Sequence, residues 1–247
     1  MSAYTDFAKF YDQIMGDRSD LIERVRGYVR RYLPDAGSLL ELGCGTGAVL
    51  AGLADGLQLT GIDQSPEMLA AAKTHLTGAN LVQADITEFS LGTRFDVVIC
   101  VFDTLNHLPA FGAWQAMFGR VDAHLAEHGL FVFDVNTVGR LSRLAAAPSY
   151  VEDFGPHTLI MDVTAGEGGV YPWDVRIFER VEGDQFRLHH ERIGELGVPL
   201  ARIHEALAPR FELLEATDTG GRPVNDESDR AYFVYRHRAS GDGGQGD

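Results

Sequence analysis

The run Leu39-Leu40-Glu41-Leu42-Gly43-Cys44-Gly45-Thr46-Gly47, with Asp63 twenty residues beyond Gly43, constrains this chain more than any other feature. Apolar residues lead into a cluster of glycines, then a helix-forming stretch, then a second apolar run that ends in a carboxylate. Glycines at such a strand-to-helix turn let the chain reverse tightly and let a ligand approach the backbone. A carboxylate at the tip of the next strand can accept two hydrogen bonds from a ribose diol. The pair points to a nucleoside cofactor held at the carboxyl edge of a parallel sheet.

By itself the loop leaves the cofactor open. Gly43-x-Gly45-x-x-Ala48 also satisfies the dinucleotide pattern, so nicotinamide and flavin enzymes share it, and a tight turn without a ligand is a third reading. The remaining pattern is informative. It predicts helices over 4–15 and 19–33, strands over 38–42, 57–62, 80–84, 95–101 and 130–135, and helices over 46–53, 65–76 and 111–126 between them. Alternation of this kind builds a parallel sheet covered on both faces, an α/β fold with ligands at the carboxyl ends of the strands.

After Asn136 the periodicity changes. A short helix over 137–146 leads to period-two segments at 157–164, 169–181 and 185–194, the last two joined by a hairpin turn at 181–184. A helix over 199–207 and strands over 211–217 and 231–237 follow. The chain therefore divides into N-terminal helices and cofactor core (1–136), an antiparallel β insertion placed to cover the ligand crevice (137–198), the end of the core (199–238) and a Gly- and Asp-rich tail (239–247) expected to be disordered.

Four motifs occur in order: the loop from Glu41 to Gly47, Gly61-Ile62-Asp63-Gln64-Ser65-Pro66-Glu67-Met68, Val82-Gln83-Ala84-Asp85-Ile86, and Phe95-Asp96-Val97-Val98-Ile99-Cys100. Together they resemble the class I methyltransferases that use S-adenosylmethionine (SAM). The stretches from Phe7 to Met15 and from Val101 to Pro109 are similar to one branch of that family, which methylates small molecules and includes glycine, sarcosine and amino-sugar N-methyltransferases. The resemblance implies a Rossmann-like, doubly wound seven-stranded sheet whose seventh strand is antiparallel. It implies that Gly43, Cys44 and Gly45 meet the methionine part and ribose through their backbones, with the N–H of Cys44 offered to the ligand. Glu41 would anchor the methionine ammonium, Asp63 the ribose hydroxyls with Gln64 in support, and Asp85 and Ile86 the adenine. Met68 would pack on the adenine face, and Tyr11 would close over SAM.

Asp103, Asn106 and His107 follow the fourth strand, where the transferring methyl should sit. His107 is the candidate base or substrate partner. Asp103 and Asn106 are candidate substrate residues, although Asp103 stands where glycine-type enzymes carry asparagine. In the insertion, Phe186, Leu188, His190 and Arg192 share one face by period two, and the two apolar members suggest that this face points inward. That places His190 and Arg192 beside the substrate, with a sheet partner such as Glu179 or Asp174 as the structural alternative for Arg192. Trp173 could line the same pocket.

Charge narrows the substrate. The 36 acidic and 21 basic side chains leave a net −15, and only Lys9 and Lys73 are lysines. Such a surface repels phosphate backbones, so nucleic acid is not expected as a partner. Cys44 and Cys100 show neither zinc nor disulfide spacing, and no metal is expected. With no signal peptide or membrane span in the pattern, the expected location is cytoplasmic. The expectation is a methyltransferase acting on a small polar metabolite, at an amine nitrogen before oxygen, with a second copy of the chain as the one protein partner considered. The rival readings are a tRNA or protein methyltransferase, a non-catalytic SAM-binding subunit, and a nicotinamide oxidoreductase.

Overall fold

In the computed structural model, which describes residues 9–239, the core is one seven-stranded sheet in the order β10-β11-β5-β4-β1-β2-β3. The strands are β1 (Ser38–Leu42), β2 (Gln58–Asp63), β3 (Asn80–Gln83), β4 (Phe95–Cys100), β5 (Leu125–Asn136), β10 (Phe211–Thr217) and β11 (Arg230–His237). Strands β1 to β5 are parallel, whereas β11 runs antiparallel to both β5 and β10. This is the methyltransferase sheet that the four motifs imply.

Alternate side chains of the central strands feed two cores, as buried parallel strands require. Leu40, Leu42, Val98 and Cys100 join α5 (Phe111–His124) and α7 (Leu200–Leu207) on one face. Leu39, Val97 and Ile99 join α2 (Ser19–Tyr32), α3 (Ala48–Gly52) and α4 (Pro66–Ala72) on the other. Ser65 caps α4 by accepting from the Met68 N–H at 3.2 Å, with Pro66 in the first turn. Of the helix expected over 4–15, the structure shows α1 (Tyr11–Met15); residues 4–8 lie outside the described residues, as does the tail after Ala239.

Beyond α6 (Val138–Ala146), the insertion is a four-stranded antiparallel sheet in the order β6-β7-β8-β9. Three of its strands, β7 (His157–Val163), β8 (Val170–Glu182) and β9 (Gln185–Leu196), occupy the period-two segments. The fourth, β6 (Tyr150–Phe154), has no counterpart in the sequence reading. Its first four residues are all exposed, so it carries no buried alternating face to betray it. A third small core, containing Phe10, Leu141, Leu159, Trp173, Val175 and Ile177, binds this sheet to α1 and α6 above the carboxyl edge of the main sheet.

Candidate active site

Two cavities meet at that edge, and Tyr11, Phe102 and His107 line both. The first lies over the glycine loop and is lined by Gly43, Gly45, Asp63, Gln64, Met68, Asp85 and Ile86 as well. Its loop is set by the backbone. Gly43, Gly45 and Gly47 all have positive φ (70°, 53° and 76°), a region that L side chains rarely adopt. At Gly43 a Cβ would strike the Thr104 side chain at 2.4 Å, whereas at Gly45 it would meet nothing within 4 Å among the described residues, leaving the backbone open to a ligand. Asp63 ties loop to strand, accepting from the Gly45 N–H on one oxygen and the Ser65 N–H on the other, each at 2.8 Å. Burial raises the Asp63 pKa, opposed by those same backbone donors.

Glu41 lies at the back of the loop, 3% exposed, and its Oε2 has no hydrogen-bond partner among the described residues. Burial, and then the neighbouring Asp63 charge, push its pKa up to about 8. The Arg18 guanidinium lies over the rings of Tyr11 (5.4 Å) and Phe102 (5.5 Å). It also donates to Asp12 Oδ1 at 2.9 Å, an oxygen that accepts from Thr46 Oγ1 at 2.8 Å. The N-terminal helix is thereby fastened to the glycine loop.

The second cavity, of about 420 Å³, lies between α1, α6 and the inner face of the β insertion. Its floor is polar. Asp134, fully buried in β5, accepts from the N–H groups of Phe102 and Asp103, each at 2.8 Å. These two consecutive residues have φ of 64° and 53°, so a single carboxylate holds a strained turn in place. Arg230 bridges Asp134 Oδ1 (2.5 Å) and Asp103 Oδ1 (2.8 Å). Asn136 donates to Asp103 Oδ2 (3.2 Å) and Glu195 Oε2 (2.7 Å). Burial, then repulsion from Asp103, push Glu195 up to about 8. His107 makes a hydrogen bond with the Gly194 backbone, and burial lowers its pKa, which favours neutral imidazole at pH 7. Donor atoms of Asp103, His107 and Glu195 all lie within 4.8 Å of one another, close enough to surround one small cation.

The methyltransferase-domain family matches residues 39–129. YqeM of Bacillus subtilis (strain 168), which is named as a methyltransferase, is 30% identical over 245 residues, covering 93% of this chain and 95% of that protein. The chain belongs to the class I SAM-dependent methyltransferases. Another relative is the dTDP-3-amino-3,6-dideoxy-alpha-D-glucopyranose N,N-dimethyltransferase of Streptomyces fradiae, 34% identical over 134 residues. The match covers 52% of each chain, so this methyltransferase spans about half the length of that relative. A crystal structure of a SAM-dependent methyltransferase from Clostridium acetobutylicum shares the fold at a TM-score of 0.85 and 21% identity, covering 96% of this chain and 99% of that one.

SAM is the cofactor, and the first cavity suits it. Glu41 Oε2 is an unmet buried acceptor of the kind an ammonium satisfies, directly or through water, and Gly45 leaves the backbone open. Asp63, Gln64, Met68, Asp85 and Ile86 stand together along the same wall, with Thr87 holding Asp85 Oδ1 through its N–H and hydroxyl, each at 2.7 Å. When bound, SAM supplies the activated methyl group.

Four expectations need correction. The Cys44 N–H does not face a ligand, because it donates to the Ile62 carbonyl at 2.9 Å. Asn106 is not free to bind substrate. It is fully buried, donating to the carbonyls of Asn136 and Leu196 at 3.0 Å and accepting from the Asn136 N–H at 2.9 Å, and so ties the turn after β4 to β5 and β9. His190 and Arg192 lie on the outer face of the insertion, where both bond Asp174 Oδ2 (2.9 and 3.1 Å). The inward face of β9 is the opposite one, carrying His189, Glu191, Ile193 and Glu195. Trp173 is in the second cavity, paired with Ile193 across the strands. Sequence reasoning missed Asp134, Arg140, Glu195 and Arg230. One signal was present: a carboxylate inside the apolar run from Leu130 to Val135 requires a cation partner.

Proposed function

We propose that this methyltransferase transfers the methyl group of SAM to an amine nitrogen of a small polar metabolite of the amino-sugar class. The observation that carries the reading is the cluster of Asp103, His107 and Glu195 where the two cavities meet. An amine reaches an enzyme at neutral pH as an ammonium ion, which the Asp103 carboxylate attracts and whose charge draws the Glu195 carboxyl toward its ionised form. To react it must lose a proton and present its electron pair to the methyl carbon. Neutral His107, which lines both cavities, is the group to take that proton. The nitrogen lone pair forms the new N–C bond while the S–C bond breaks, and its electrons remain on sulfur. The substrate named for the Streptomyces fradiae relative is an amino sugar, in keeping with this chemistry.

The substrate class is tested by transferring labelled methyl from SAM into a cell extract and separating the products by size and charge. Label in small basic compounds is expected; label in RNA or protein contradicts the reading. His107→Ala should lower kcat by about 100-fold, within the range for a lost general base, while SAM affinity stays within about twofold. Equal loss of both would assign His107 a structural role.

A further inference from the structure

Resting on the reading of the site as an amine methyltransferase, we propose that Arg140 receives an oxyanion, a carboxylate or a phosphate, that the amine carries into the second cavity. Arg140 is half-buried and lines that cavity. Its Nε is buried without a hydrogen-bond partner, and among the described residues its guanidinium makes no hydrogen bond or ion pair. Arg26 and Arg176 also leave Nε without a hydrogen bond, yet both reach carboxylates through Nη, Arg26 at Glu23 (2.6 Å) and Arg176 at Asp162. A guanidinium keeps its charge and only donates, so leaving it unmet in the interior is costly. The carboxylates of the lining do not meet it. Asp103 is paired with Arg230 at 2.8 Å, and exposed Glu152 accepts from the Tyr150 hydroxyl at 2.6 Å. Glu195, pushed up to about 8 by burial, is mostly uncharged at pH 7 before the amine arrives.

A second donor of the same lining is unmet. Trp173 is 9% exposed, and its Nε1, which can only donate, is buried without a partner among the described residues. Two groups that only donate require oxygens on the bound molecule, whereas Asn136 Oδ1, an unmet acceptor of the lining, suits the amine. The substrate is then zwitterionic, with a basic nitrogen and an oxyanion on one body. The backbone that carries Arg140 is fixed. Thr137, fully buried, caps α6 by accepting from the Arg140 N–H at 3.1 Å, and its hydroxyl donates to the Ser228 carbonyl. The Gly139 N–H donates to the Asp226 carbonyl at 2.9 Å, and a Cβ at Gly139 would lie 2.6 Å from that oxygen. Arg140 and Leu144, one helical turn apart, both line the cavity, so this face of α6 is turned toward it. Leu159, Met161 and Val175 share the lining, and an ion pair formed among such apolar groups is weakly screened.

The test uses the full chain and three probes that carry the same amine. They are methyl 3-amino-3,6-dideoxyglucopyranoside, which has no anionic group, 3-amino-3,6-dideoxyglucose 1-phosphate, and methyl 3-amino-3-deoxyglucopyranosiduronate. Calorimetry with S-adenosylhomocysteine bound reads affinity apart from turnover. At least one anionic probe is expected to bind, and with SAM to be methylated, at least about tenfold better than the plain glycoside, as a charge-assisted guanidinium pair allows. Whichever of phosphate and carboxylate gains names the oxyanion. Arg140→Gln should bring that preference to within about twofold, and Arg140→Lys should keep part of it. Neither should lower the unfolding midpoint, because no hydrogen bond or ion pair of the guanidinium is lost. Trp173→Phe, which keeps a ring and removes the N–H, should weaken the preferred probe about fivefold, and unchanged affinity would remove the indole from the site. Equal or better binding of the plain glycoside would overturn the inference. So would an equal loss for all three probes in Arg140→Gln, which would reduce Arg140 to a neighbour acting on Glu195 alone. Both results leave amine methylation standing, whereas methylation of a hydroxyl in all three probes would overturn the amine reading itself.

Discussion

The cofactor cavity and the cavity beneath the β insertion are built by different means. Over the glycine loop, most of the lining comes from three strand ends and their turns, between Glu41 and Ile86, and much of it is backbone: positive-φ glycines, the Gly45 N–H, the Ser65 cap. In the second cavity the polar floor is assembled from side chains of β5, β9, β11, α6 and the turn after β4, which are as much as 127 residues apart, as in the Asp103–Arg230 pair. Local backbone chemistry demands particular residues at particular spacings. Long-range side-chain networks demand only that partners end up together. The first kind of site can be read from a string; the second requires the fold.

The largest effect should come from cutting the network that joins the two halves. Asn106→Ala leaves two carbonyls and one N–H without partners in the interior, and should lower unfolding stability by about 3 kcal/mol. Chemical denaturation measures it. A loss below about 1 kcal/mol would mean that Asn106 serves the substrate after all.

Within the cofactor half, Asp63→Asn keeps one acceptor for the loop but removes the charge offered to the ribose. SAM affinity should fall by about 2 kcal/mol by calorimetry, with methyl-acceptor affinity little changed. Unaltered SAM binding in the folded variant would break the assignment of this cavity.

A subtler contrast concerns protons. Burial raises the folded pKa of Glu41 to about 8, above its ordinary 4.5. The sign follows: its contribution to apo stability is complete below about pH 4.5 and is lost as pH rises through 8. Glu41→Gln should flatten that part of the stability profile. Binding of the SAM ammonium should ionise the carboxyl, so calorimetry near pH 7 in buffers of different ionisation enthalpy should show proton release that the variant lacks. Proton uptake would contradict the role.

The smallest effects should lie on the outer face of the insertion. Arg192 is 78% exposed in its ion pair with Asp174. His190→Ala and Arg192→Ala should each change stability by less than about 0.5 kcal/mol and KM for the amine by less than about twofold. A large KM effect would reopen the question of which face of β9 meets the substrate.

The legibility of the two regions follows the same division. The alternating strands and helices of the core and the Ser65 cap were readable because strand-turn-helix units impose local spacing, and the same spacing carried the family resemblance that put Asp63, Asp85 and Ile86 at one crevice. The facing of β9 was not. Its outer face carries Phe186 and Leu188, 44% and 52% exposed, while its inner face carries Glu191 and Glu195. The rule that apolar residues point inward fails where a strand supplies the polar floor of a binding cavity. Strand β6 lacked a buried face altogether. Arg230 follows a polar stretch, Asn225 to Asp229, and only Asp134 in the apolar run of β5 announced that a cation must arrive there.

The central claim is that the Asp103–His107–Glu195 cluster prepares a nitrogen to receive the methyl group. The most direct measurement is carbon-13 NMR of the product formed from SAM labelled at its methyl carbon, because the shift of the transferred methyl identifies the atom to which it is bonded. The account predicts an N-methyl resonance, and its appearance about 100-fold more slowly when His107 is replaced by alanine. An O-methyl resonance from the wild-type protein would contradict it.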